Sequence, residues 1–391
     1  MKAPCLHFLA LILLAAMPGV AQNAPVRANP ALPEAGAPEQ NENASGSDMR
    51  AEAELQTGTR LTRAGHFEEA IPHLSAARRN IGREYAASFD LALCYVGTHR
   101  FKEAIAILED LRKDNHKHAD VENLLAQAYI GDGRRLAAWD SLERASALSP
   151  HNEKLYLYVA DACMDQHDYP LGLKVVELGL ANLPESAALH YERGAVLSLL
   201  DEFDQAKADF AEVGRLAPRS EISYLAAANE QLHSGNPEAA VRVAREGVGQ
   251  GYQNPTLLAI LGEALIRSGV RPGETSFSEA ETALAKAVAE RPWDAHAQAT
   301  LGRLYVLASR PAEAIVHLEK ARELDPNNPS IYASLAKAYQ RKGDHEQAQA
   351  ALAVLAALNQ AQAQQIGSAP GDRKAGYLSR EPTKANSPNA H

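Results

Sequence analysis

Three groups of residues have types and spacings that could do chemistry. Gly247, Gly249 and Gly251 form a G-x-G-x-G run, the kind of small-residue loop that lets backbone amides approach a phosphate. A dinucleotide loop has to follow a strand, whereas this run follows a helical segment, so it reads as a helix-ending turn. His116 and His118 stand with Asp114 and Asp120, donors of the right types for a metal ion. The same composition suits a solvated turn, and no metal is assigned. Asp161 and Asp165 are four residues apart and share one helix face; paired carboxylates divide acid and base roles in glycosidases, but a pair one turn apart on an open surface is ordinary. No H-E-x-x-H, G-x-S-x-G or G-K-[ST] motif occurs. The expectation is a chain that is not an enzyme and needs no cofactor.

The elements that would position these residues emerge from an internal repeat. Between Ala119 and Asn152, Leu125, Ala126 and Tyr129 sit at helical spacing, Gly133 interrupts, Ala138, Leu142 and Ala145 resume the spacing, and Pro150 ends it. Each half is an amphipathic helix. The small residues Ala126 and Ala138 let two antiparallel helices approach closely, and the pair keeps an apolar face that it cannot bury alone. Sliding this template by 34 residues recovers it over 51–84, 85–118, 119–152, 153–186, 187–220, 221–254, 255–294, 295–328 and 329–362, with one six-residue insertion near Val270 to Ser276. The first small residue recurs as Gly58, Gly194 and Gly302 among others, the second as Ala70, Ala206 and Ala314, and closing prolines stand at Pro150, Pro184, Pro218, Pro292 and Pro326.

With its small pair, the bulky residue before the second helix (Phe67, Phe101, Tyr169, Phe203, Phe277) and the terminal prolines, this pattern resembles the tetratricopeptide repeat (TPR) family. The resemblance implies an all-α, right-handed solenoid of helix-turn-helix units. It also implies that residues two, five, nine, twelve and thirteen of each repeat line a concave groove that binds ligands. Position five reads Leu55, Phe89, Asn123, Leu157, Tyr191 and Leu225, an apolar stripe over six repeats, then alanine. Burial against the next repeat is the competing account of that stripe. Position nine adds Gln127, Asp161 and Asn229, whose polar groups suit the backbone of a peptide. Arg267, Arg303, Lys337 and Arg341 make a basic cluster fit for an acidic segment or chain-end carboxylate, or a solvated face paired with Glu263. The family's lysine-asparagine carboxylate clamp is not supported, because no lysine occupies position five.

Composition bounds the rest. A 391-residue chain with 46% hydrophobic residues is too long for one compact core, a tension that a solenoid resolves. A formal net charge of −10 argues against a nucleic-acid or anionic-membrane footprint. Residues 1–21 read as a signal peptide: Lys2, an apolar run of about ten residues, then Gly19 and Ala21. That run is short of the roughly 20 needed to span a bilayer. Cleavage after Ala21 predicts an exported, periplasmic or secreted chain with no membrane span; an uncleaved anchor is the alternative. Residues 22–50 read as a Pro/Ala/Asn-rich linker and 363–391 as a disordered tail. Cys94 and Cys163 lie two repeats apart, too far for a disulfide, and read as buried thiols. The functional expectation is a scaffold of the cell envelope or secretory route that holds a protein or peptide in its groove. The alternative is a glycan- or peptidoglycan-binding accessory subunit of an envelope enzyme or polymer-export system.

Overall fold

The structure is a computed structural model, and it describes residues 42–81, 85–113 and 118–367. The segment read as a signal (1–21), residues 22–41 of the stretch read as linker (22–50), residues 368–391 of the stretch read as tail (363–391), and Asp114 and His116 lie outside these residues. The described residues hold eighteen helices and no strand. They come in pairs: α1 (Glu42–Arg63) with α2 (Phe67–Ile81), α3 (Tyr85–Gly97) with α4 (Phe101–Lys113), α5 (Ala119–Gly131) with α6 (Arg135–Leu148), α7 (Glu153–Asp165) with α8 (Tyr169–Asn182), and α9 (Ala187–Leu199) with α10 (Phe203–Leu216). Then follow α11 (Glu221–His233) with α12 (Pro237–Gly249), α13 (Pro255–Arg267) with α14 (Thr275–Glu290), α15 (Ala295–Leu307) with α16 (Pro311–Leu324), and α17 (Pro329–Lys342) with α18 (His345–Gly367). The architecture is an all-α solenoid. α1 begins at Glu42, inside the stretch whose composition reads as linker, and α18 runs on to Gly367, past the expected start of the tail.

The chain divides into two compact units, one ending at Ala264 and one beginning at Leu265. In the first, each helix from α1 to α12 packs on the next, and successive odd-numbered helices also touch. In the second, α14 to α18 pack in the same order, with α15 against α17. Packing at the small positions is tight. A Cβ on Gly302 would fall 2.6 Å from Leu318 Cγ, and one on Gly194 2.6 Å from the Phe210 ring. The small residue of each first helix is therefore the socket for a large residue of the second.

Both ends of the helices have identifiable causes. Ser186, Ser220 and Asp294 accept from backbone amides three residues on, at 3.0, 3.3 and 2.9 Å, which satisfies donors that a helix start leaves open. The fifteenth residue of every repeat is left-handed: Gly65, Gly133, Gly235, Gly269 and Gly343, but also His99 (φ 57°), His167 (φ 54°), Asp201 (φ 62°) and Ser309 (φ 57°). The next residue's amide then bonds five residues back, as from Arg100 to Tyr95 O at 2.7 Å and from Asp168 to Cys163 O at 2.8 Å. This closes the first helix with a Schellman-type turn. At the other turn, the closing proline's carbonyl accepts from the fourth residue of the following helix: Tyr156 Oη to Pro150 O at 2.9 Å, and Tyr332 Oη to Pro326 O at 2.8 Å. The 247–251 glycine run ends α12 and enters the turn, with Gly251 at φ 97°, as a helix terminus requires.

Candidate partner-binding face

In the first unit, the residues expected to line a groove divide into those spent on packing and those left open. Asn123 and Gln127 are buried, at 4% and 8% exposure. Asn123 Nδ2 donates to Leu155 O at 2.7 Å and Gln127 Nε2 donates to Asn123 Oδ1 at 2.8 Å, so these amides tie α5 to α7. Asn229 Nδ2 donates to Tyr191 Oη at 3.1 Å, joining α11 to α9. Leu225 is buried. Phe89 and Leu157 are half-buried and pack on the core, Phe89 stacked on Tyr85 with ring centres 5.7 Å apart. Tyr191 is half-buried with its ring 6.0 Å from Phe210, and Asp161 is half-buried too. Position five thus sits on the seam between successive first helices, where side chains meet the neighbouring helix before they meet water.

Position thirteen faces outward instead. Asp165, Leu199 and His233 occupy it on the neighbouring helices α7, α9 and α11, and all three are exposed, Leu199 at 51%. Phe203, the first residue of α10, is 45% exposed with its ring 5.9 Å from His233. Asp165 reaches solvent, yet burial by the surrounding protein raises its carboxyl to about 7. Glu192 on α9 is half-buried and is also raised to about 7 by burial. Neither carboxyl makes a hydrogen bond or ion pair with a described residue. Nearby on α7, the Tyr158 hydroxyl is raised by burial and then by the charge of Asp161. The result is an apolar and aromatic row beside carboxyls that have no counter-ion among the described residues. The sequence reading places position thirteen in the groove and takes Arg267 and Arg341 from it, but not Asp165, Leu199 or His233.

In the second unit the basic residues are largely engaged. Arg341 Nη1 donates to Val306 O, placing a cation over the last turn of α15, where the helix dipole favours one. Arg303 Nη2 donates to Thr300 Oγ1 at 2.8 Å, while its Nε is buried with no acceptor among the described residues. Arg267 is exposed and engaged in an interaction of its own. Lys337 is exposed and makes no hydrogen bond or ion pair with a described residue.

Among the described residues, no cluster of histidine, cysteine or carboxylate could hold a metal ion, and no helix is long and apolar enough to cross a membrane. His118 lies against the Tyr85 ring, centres 4.6 Å apart. Cys94 and Cys163 are buried free thiols.

No curated protein matches the chain. Among solved structures, it is similar at 17% identity to the APC/C hetero-tetramer Cut9-Hcn1, over 79% of this chain with a TM-score of 0.48, and it spans 59% of that chain. It is similar to yeast Tom70 at 17% identity, over 86% of this chain and 88% of that one, TM-score 0.47. It is also similar to a tetratricopeptide repeat protein from Parabacteroides merdae at 17% identity, over 66% and 99%, TM-score 0.48. Two family models, both described as tetratricopeptide repeat, match residues 61–128 with 306–367 and residues 275–329. Tetratricopeptide repeats are therefore present in this chain over 61–128 and 275–367.

Proposed function

We propose that this chain is an exported, non-catalytic scaffold that holds a segment of a partner protein along the first-helix face of its repeats. Tetratricopeptide repeat proteins are in general protein-interaction scaffolds, and exposed apolar rows on folded surfaces mark interaction sites. The observation that carries the reading is the open row of Asp165, Leu199, Phe203 and His233 beside Glu192. Apolar groups there give contact area, and the uncompensated carboxyls select a lysine or arginine on the partner, since an opposite charge beside a partly desolvated carboxyl restores the ionised form. The export route rests on the arrangement of residues 1–21 and places the partner in the envelope or beyond it.

The test is capture of partners from envelope extract by the chain from Gln22 onward, compared with a Leu199→Ser/Asp165→Lys variant. Both positions are exposed, so helicity is expected to hold while the captured bands disappear. Bands that persist at wild-type strength would refute the assignment of this face. Glycan turnover by the purified chain would refute the non-catalytic reading.

A further inference from the structure

The repeat itself shows what covers a second helix. Position 24 of the earlier repeats is buried, Leu74, Leu108, Leu142 and Leu318 wholly so, with Leu74 and Leu318 seated on Gly58 and Gly302 of their own first helices. Its last occurrence, Leu352 on α18, is 42% exposed. Position 27 shows the same break. Gly179 and Gly247 at this position receive Leu189 and Leu257 from the following first helix, close enough that a Cβ on either glycine would meet that leucine at 3.0 Å. On α18 the position is Leu355, half-buried, and no following helix is present among the described residues. With Leu358 half-buried and Val354 at 40% exposure, α18 carries an apolar stripe at helical spacing. It is the counterpart of the faces through which α2, α4, α6, α8, α10, α14 and α16 pack on the following first helix.

Every covering first helix is 13 or 14 residues long from α3 onward, whereas the sequence after 367 carries Pro370, Gly371, Gly376, Pro382 and Pro388. α18 is also unlike its counterparts. It has 23 residues against 13 to 16 for the other second helices, and no charged residue occurs from Gln347 to Gly367. A partner selected by charge would find nothing to read on it. A second copy finds the same uncharged leucine and alanine stripe, longer than one repeat needs, with no like charges to oppose an antiparallel approach.

We propose that α18 is a self-association surface: two copies of the chain pair through the Leu352–Leu355–Leu358 stripe of α18, each covering the stripe that the other leaves open. Such a contact is isologous and closes at two copies, as a twofold interface does.

Sedimentation equilibrium on the chain from Gln22 onward, which keeps every described residue, tests this at tens of micromolar. The expected result is twice the chain mass for the wild type, the single-chain mass for Leu352→Glu/Leu355→Glu at unchanged helicity, and a retained dimer for Val316→Glu, an exposed site on α16. Should the double variant lose helicity, Val354→Arg is read in its place and is expected to be monomeric. A wild type that is monomeric throughout, an α18 variant that stays folded and dimeric, or a dimer lost on removing residues 368–391 would overturn the proposal.

Discussion

Asp165 carries a consequence that a fully solvated carboxyl would not. Its folded-state value of about 7 lies above the ordinary aspartate value of 3.8, so the unfolded chain ionises first as pH rises. The linkage sign follows: this group's contribution to stability falls between about pH 4 and 7 and levels off above. Glu192, raised in the same direction, adds to the trend. Asp165→Asn removes the penalty. Its melting temperature, relative to wild type, is expected to be near zero difference at pH 4 and increasingly positive up to pH 8 in calorimetric scans; a difference independent of pH would contradict the burial that raises the carboxyl. Backbone strain gives a second test at this scale. A non-glycine residue in the left-handed region costs about 1–2 kcal/mol, partly offset by the greater chain entropy that glycine loses on folding. Ser309→Gly (φ 57°) is therefore expected to stabilise by about 0.5 kcal/mol in denaturant titration. Five of the nine left-handed turns announce themselves in the sequence as glycine. His99, His167, Asp201 and Ser309 do not, because a neighbouring helix closure holds them there whatever their own preference.

At the scale of the helix pair, the periodic small residues were readable because close packing admits nothing else. Gly302 demonstrates it: Gly302→Ala places a Cβ 2.6 Å from Leu318 Cγ and 3.2 Å from Ala314 O, an overpacking expected to cost about 1–3 kcal/mol in chemical denaturation. What stayed unreadable was the use of each polar residue. Asn123 and Gln127 have the composition of peptide-binding amides, yet burial on the α5–α7 seam turns them to Leu155 O and to each other. Only the positions of the flanking helices decide that, and no one-dimensional pattern reports them. Asn123→Ala strips Gln127 of its acceptor and Leu155 O of its donor. It is expected to destabilise the chain by about 1–3 kcal/mol, and partner capture is expected to follow stability rather than fall on its own.

For the molecule as a whole, stacked hairpins contact only their sequence neighbours, so stability is a sum of units and nearest-neighbour interfaces. Amide exchange should therefore be slowest in α5, where Val121 to Ile130 are all buried, and faster in α18 beyond Ala356, where residues 356, 357 and 359–361 are exposed. Uniform protection along the array would contradict this. The array order was readable from one period. The division at Ala264 and Leu265 was not, since α13 keeps the repeat pattern straight through it.

Cys94 and Cys163 have a practical corollary. Cys94 sits 3.2 Å from the Thr62 hydroxyl with its thiol pushed up to about 12, and Cys163 is raised further by burial and by Asp168. Both stay protonated at any physiological pH and are poor nucleophiles. In the chain from Gln22 onward, which lacks Cys5, both are expected to be silent to alkylating dyes, so that a single reporter thiol placed at Leu199 is labelled alone.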